Sequence, residues 1–116
     1  VFSFGVMGGD FQPQGHVQVL ANIIDFGMSV QQAGDQPRVN HDGSSDPDGS
    51  KMKAGGSVGC ERFIPDAVRQ QLAEMGHEIR GGSQEFGGYQ GIWRANDPLR
   101  WFGGSDPRKD GCASGY

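Results

Sequence analysis

Residues 1–28, VFSFGVMGGDFQPQGHVQVLANIIDFGM, decide the fold. Val1 to Met7 alternate and are rich in Val and Phe, the pattern of a half-buried strand. Gly8-Gly9 ends that strand. The spacing then predicts a helix from about Gly15 to Met28, with Val17, Leu20, Ala21, Ile24 and Met28 on one face. Val19, Ile23 and Phe26 add a second apolar stripe, so the helix is expected to be buried on most sides. Gly27 sits near its end.

Working outward, Ser29 is a fair N-cap for a short helix through Ala33, which Pro37 stops. Val39-Asn40-His41 reads as a short strand, and residues 42–50 (DGSSDPDGS) as a polar, acidic loop. Residues 51–60 form either a strand pair or one strand with a glycine kink. Pro65 suits the first position of a helix whose seam is Ile64, Val68, Leu72 and Met75, and Gly76 is a natural residue just past its end. His77–Arg80, Gln90–Ala95 and Leu99–Phe102 are predicted strands, the last two a hairpin across Asn96-Asp97-Pro98. The order strand, helix, helix, strand, helix and three strands gives an α/β (α+β) fold with a mostly antiparallel sheet.

With 116 residues the chain makes one domain at most. Its net charge of −4 and the lack of a basic stripe give no electrostatic basis for a nucleic-acid or anionic-membrane partner. No apolar run approaches the roughly 18 residues of a membrane span. The chain opens on Val1 inside a strand, as an excised or processed piece would, so any targeting segment is expected upstream. Cys60 and Cys112 lack metal-ligand spacing; they could pair, or stay free and buried as small hydrophobes. No cofactor or metal is expected. The 21 glycines include five adjacent pairs without a fixed period, which excludes collagen and solenoid repeats.

One of those pairs could carry chemistry. Gly8-Gly9 follows a strand and precedes a helix, where successive N–H groups can point at an anion, with the helix N-terminus adding positive potential. That is how a backbone oxyanion hole is built, and losing one such donor typically raises a barrier by ~3 kcal/mol. A plain tight turn would leave the same sequence mark.

The context is informative. Gly8-Gly9-Asp10-Phe11-Gln12-Pro13-Gln14-Gly15-His16-Val17-Gln18, continuing into Asn22-Ile23-Ile24-Asp25-Phe26-Gly27-Met28, resembles the γ-glutamyltransferase family. Ala33-x-x-x-Pro37-Arg38, Leu72-x-x-x-Gly76-His77-Glu78 and Ser105-Asp106-Pro107-Arg108-x-Asp110-Gly111 before a terminal Gly-Tyr agree in order, so the resemblance spans essentially residues 1–116. It corresponds to the C-terminal part of that family's small subunit, a single incomplete domain and a fragment of a four-layer αββα sandwich. What it implies is an N-terminal nucleophile hydrolase. The precursor cleaves itself, and the new N-terminal Thr attacks a γ-glutamyl (glutathione-type) amide and passes the acyl group to water or an amine. The family's paired oxyanion glycines map onto Gly8 and Gly9.

The chain contains no threonine, so that nucleophile is not in it, and the isolated chain is expected to be inactive. Met7 stands where a small residue or Pro often precedes the glycines, and Asp10 where Ser is common in transpeptidases. The form GGDFQPQGH resembles members acting on other small amides, including oxamate-like ones. A non-catalytic assembly or anion-binding module is the other class of reading. The implied partners are the remainder of the precursor (large subunit and N-terminal part of the small subunit) and a small amide substrate. Strand edges and apolar faces shaped for the missing part would make the isolated chain self-associate.

The other candidates read as structural. His16 is a polar cap or core hydrogen-bonder; Asp35 and Arg38 brace the turn at Pro37; Asp106, Arg108 and Asp110 fix the C-terminal loop. Asp42, Asp46 and Asp48 are similar to a calcium loop but lack the closing Glu. Ser3, His16 and Asp25 could be imagined as a triad, without any nucleophile-elbow pattern.

Overall fold

The computed structural model describes residues 1–43, 55–81 and 86–115. The chain divides into two compact units, residues 1–36 with 87–116, and residues 37–86.

In the first unit, β1 (Phe2–Met7) and β5 (Gly88–Asn96) pair antiparallel, Phe2 opposite Trp93 and Val6 opposite Tyr89, and β6 (Leu99–Ser105) pairs antiparallel with β5. The two-residue Asp97-Pro98 connection closes the expected hairpin. Strand alternation sends Phe2, Phe4 and Val6 to one face, where Phe2 stacks on Phe4 at 4.6 Å and tilts against Trp93 at 5.5 Å. A 3₁₀ turn (Gly9–Phe11) leads into α1 (Gln12–Ile24), and α2 (Val30–Asp35) follows.

The first helix begins three residues before the expected Gly15. Pro13 stands in its first turn, where no intrahelical N–H is required, and its fixed φ suits the helix. It also ends earlier, at Ile24, and Gly27 takes a left-handed φ of 64° beyond it. Ser29 caps α2 as expected, in a reciprocal box: its Oγ accepts from Gln32 N–H while Gln32 Oε1 accepts from Ser29 N–H at 3.0 Å. The core of this unit is Val6, Phe11, Val19, Val30, Ala33 and Tyr89. Helix α2 lies close on the sheet because Gly34 faces the Tyr89 ring and Gly104 faces Val30, where a Cβ would crowd its neighbour.

The expectation that the first helix is buried on most sides is corrected. Val19 is fully buried, but Val17, Ile24 and Phe26 are 66%, 72% and 71% exposed. The elements that pack on α1 are β1, α2 and the 3₁₀ turn, and their contacts cover Val19 of the second stripe while leaving Val17 and Ile24 of the first face exposed.

In the second unit, β2 (Val39–Asp42) pairs antiparallel with β3 (Ser57–Cys60), and β3 pairs parallel with β4 (Glu78–Arg80). The parallel pair is joined through α3 (Asp66–Glu74), a β-α-β crossover. Pro65 stands at the N-cap position with an extended ψ of 140°, one residue outside α3 and not at its first position as expected. At the other end Gly76, with φ 97°, closes a Schellman motif: His77 N–H donates to Leu72 C=O at 3.1 Å and Gly76 N–H to Ala73 C=O at 2.9 Å. The predicted seam of α3 is only half covered: Ile64 and Leu72 are partly buried, while Val68 and Met75 are exposed. Among the described residues three of the four strand pairings are antiparallel, so the fold is α/β with largely antiparallel sheets.

Candidate functional site

The site is built around Phe11. Its ring is 4% exposed and sits where a Cβ at Gly8 would approach within 3.3 Å, one at Gly15 within 2.8 Å and one at Gly87 within 3.2 Å. Three positions therefore have to be glycine for the aromatic wedge to fit beneath the turn. Gly8 adopts φ 137° and Gly9 φ 56°, backbone regions that only glycine enters without strain. Gly87, at φ 69°, lies so close to the Met7 carbonyl that no side chain could replace its hydrogen. Phe11 N–H closes the turn onto Gly8 C=O at 3.1 Å. Among the described residues, neither Gly8 nor Gly9 donates its N–H to a protein acceptor.

A groove of about 360 Å³ runs beside the turn, bounded by Gly5, Met7, Gln12, His16, Gly88 and Gln90. A larger groove of about 480 Å³ is apolar and lies at the C-terminal end of α1, against Trp93 and Phe102. Its lining contains no titratable group, whereas the smaller groove holds His16 and borders the glycine turn, so the chemistry points to the smaller one.

His16 spans the turn. Its Nε2 accepts from Val6 N–H at 3.3 Å, its Nδ1 lies 2.6 Å from Gln12 C=O, and Phe4 packs edge-on at 5.3 Å. This is the hydrogen-bonding role expected of it. The imagined triad does not assemble. Ser3 is exposed on the face of β1 opposite Phe4 and His16, and Asp25 lies nine residues along α1, about 13 Å at the helical rise.

The charged residues hold loops. Asp106, 1% exposed, accepts from Tyr89 N–H (2.8 Å), Arg108 N–H (2.9 Å) and the Arg108 guanidinium (2.9 Å). The same guanidinium donates to Gly34 C=O at 3.0 Å and Gln36 C=O at 2.9 Å, tying the C-terminal loop to the end of α2. Asp110 stays exposed. Arg38 is buried, with its guanidinium on Phe86 C=O at 2.7 Å and its N–H on the Glu61 carboxylate at 2.8 Å, while Asp35 accepts from Gln31 at 2.7 Å. Asp42 pairs with Arg80 at 2.8 Å; Asp46 and Asp48 of the calcium-like loop lie outside the described residues. Among the described residues no cluster of three His, Cys, Asp or Glu could hold a metal, and no helix is long and apolar enough to cross a membrane. Both cysteines are free; Cys60 is buried, whereas Cys112 is exposed and departs from the buried state expected.

Two contributors escaped sequence reasoning. Phe11 reads as one more apolar residue until its three glycine neighbours are known. Gln31 sends its amide to the edge of β6, donating to Ser105 C=O at 2.8 Å and accepting from Ser105 N–H at 3.1 Å, as another strand would. The complementary donor and acceptor of a glutamine amide leave no distinctive sequence signal.

The family model for gamma-glutamyltranspeptidase matches residues 1–116. The chain belongs to the γ-glutamyltranspeptidase family. It is 30% identical to the glutathione hydrolase-like YwrD proenzyme of Bacillus subtilis over 97% of its length, and 31% identical to the oxamate amidohydrolase proenzyme of Klebsiella pneumoniae over 100%. It spans 21% of each of those proteins. A solved cephalosporin acylase from Bacillus halodurans is 39% identical and superposes with a TM-score of 0.77, covering 97% of this chain and 20% of the acylase. The family thus consists of enzymes that include transpeptidases, amidohydrolases and acylases, and its members share the mixed α/β fold described above.

Proposed function

We propose that residues 1–116 form the C-terminal segment of the small subunit of an N-terminal nucleophile hydrolase and contribute the backbone N–H groups of Gly8 and Gly9 as oxyanion donors. The observation that carries this reading is the turn itself: two consecutive glycines in non-standard backbone conformations, wedged in place by Phe11, with N–H groups that no acceptor among the described residues uses. Donors fixed in advance stabilise a developing oxyanion without reorganising during the reaction. Family membership supplies the chemistry: a nucleophile outside this chain attacks a small amide, the leaving amine departs, and the acyl group passes to water or to an acceptor amine.

A γ-glutamyl amide of the glutathione type is the first substrate class, supported by the family and by the glutathione hydrolase-like relative. The 31% identical oxamate amidohydrolase favours a second reading, hydrolysis of a smaller oxamate-like amide. The remainder of the precursor is the proposed partner, covering the exposed stripe of α1 and the exposed Leu99, Trp101 and Phe102 of the hairpin. Without it these surfaces would draw copies of the chain together.

The test compares the isolated chain with the full-length protein on γ-glutamyl anilide and on oxamate, alongside light scattering of the chain. The expected outcome is turnover by the full-length protein only, and association of the isolated chain. Enzyme-like release by the isolated chain would overturn the division of labour, and a monomer at high concentration would overturn the covering role.

A further inference from the structure

We infer that His16 is a positioning residue for the Gly8-Gly9 turn and acts only as the neutral imidazole with its proton on Nδ1. The inference rests on the oxyanion reading above and adds to it the group that holds the donors in register. Among the described residues β1 pairs with β5 on one side and with no strand on the other. Tyr89, opposite Val6, uses both its backbone groups on Asp106: its N–H donates to the carboxylate, and its C=O accepts from Asp106 N–H at 2.9 Å. Val6 and Tyr89 are therefore a non-hydrogen-bonded pair, and the Val6 N–H points away from the sheet. His16 Nε2 receives it.

The geometry makes one ring a clip across the turn. Val6 lies two residues before Gly8, and Gln12 three residues after Gly9; His16 is bonded to both. Gly15 makes this reach possible, since a Cβ there would come within 2.7 Å of Val6 Cγ1 and push α1 off the strand. The tautomer follows from the partners. Val6 can only donate, so Nε2 must carry the lone pair, and the proton sits on Nδ1 facing the Gln12 carbonyl. An imidazolium has two donors and no acceptor, so protonation removes the Val6 bond and opposes two N–H groups. The groove around His16 presents Gly5, Met7, Gln12, Gly88 and Gln90, none of them titratable. The charged groups on the elements packed against α1 are Asp10, in the 3₁₀ turn, and Asp35, engaged by Gln31.

The experiment is the pH profile of kcat for the full-length protein, with γ-glutamyl anilide and oxamate as probes, in wild type, His16→Gln and His16→Ala. NMR of ¹⁵N-labelled histidine reports the His16 tautomer and its titration in the same wild-type sample. A glutamine amide oxygen can accept from Val6 N–H but does not titrate in this range. The expected results are a wild-type kcat that falls at acid pH in step with His16 protonation, and a His16→Gln protein that keeps most of its kcat and loses that acid limb. In His16→Ala, kcat falls ~10-fold or more at every pH with KM little changed, because a displaced catalytic geometry costs rate rather than binding. A folded His16→Ala protein with the wild-type kcat and acid limb would overturn the inference. If that variant does not fold, an unaltered acid limb in His16→Gln would overturn it. The oxyanion reading is tested separately by exchanging the Gly9 amide for an ester. If His16 acts through the turn, the ester and His16→Ala combine non-additively, whereas additive losses would reject the positioning role and leave the oxyanion reading standing.

Discussion

Two segments are fastened near the N-terminal end of β5 in contrasting ways. The Ser105–Arg108 loop is held by charge: a carboxylate 1% exposed takes three hydrogen bonds, and its arginine partner passes two more to α2 and the residue beyond it. The Gly8-Gly9 turn is held by shape, through a phenylalanine wedge among three glycines and a histidine clip. The first satisfies its polar groups internally, which is what a purely structural brace requires. The second leaves two backbone donors without a partner among the described residues, which a brace would not do. The difference separates a loop that only has to be rigid from a turn that has to be rigid and still offer something.

Breaking the charged brace should have the largest effect on stability. Asp106→Ala leaves the Arg108 guanidinium and two backbone N–H groups without their acceptor, and a loss of about 3–5 kcal/mol is expected in denaturant unfolding. Breaking the shape-held turn should cost less stability but more activity. Gly8→Ala puts a side chain at φ 137° against the Gly87 Cα, an expected cost of about 1–3 kcal/mol with a disproportionate fall in kcat. Equal losses of stability and activity in both variants would erase the distinction. Ser29→Ala sharpens the comparison as a control: it removes a helix cap that belongs to neither segment, for about 1 kcal/mol and an unchanged kcat.

How much of this was readable in the sequence depended on whether a signal is local. The strand before Gly8, the Ser29 cap, the Gly76 stop and the Asp97-Pro98 hairpin were legible because each is fixed by residues a few positions apart. Apolar stripes predict which face of α1 wants covering, but not what covers it, so the exposure of Val17 and Ile24 could not be read. At the site, the glycine pair and its family context were visible, and so was a structural role for His16. The wedge was not, since Gly87 lies 76 residues beyond Phe11 and only the fold brings them together. The charged residues of the C-terminal loop announced a brace, but their partners Tyr89, Gly34 and Gln36 contribute backbone groups, which carry no side-chain signature.

The central claim is that the Gly8-Gly9 turn offers its N–H groups to a developing oxyanion. The most direct measurement is kcat and KM of the full-length protein after semisynthetic exchange of the Gly9 amide for an ester, which deletes the Gly9 N–H and keeps the backbone length, while weakening the Gly8 C=O as acceptor of the Phe11 N–H. The account expects kcat to fall by ~10²–10³-fold, about 3–4 kcal/mol of barrier, with KM little changed. An ester protein that folds and turns over at the wild-type rate would contradict it.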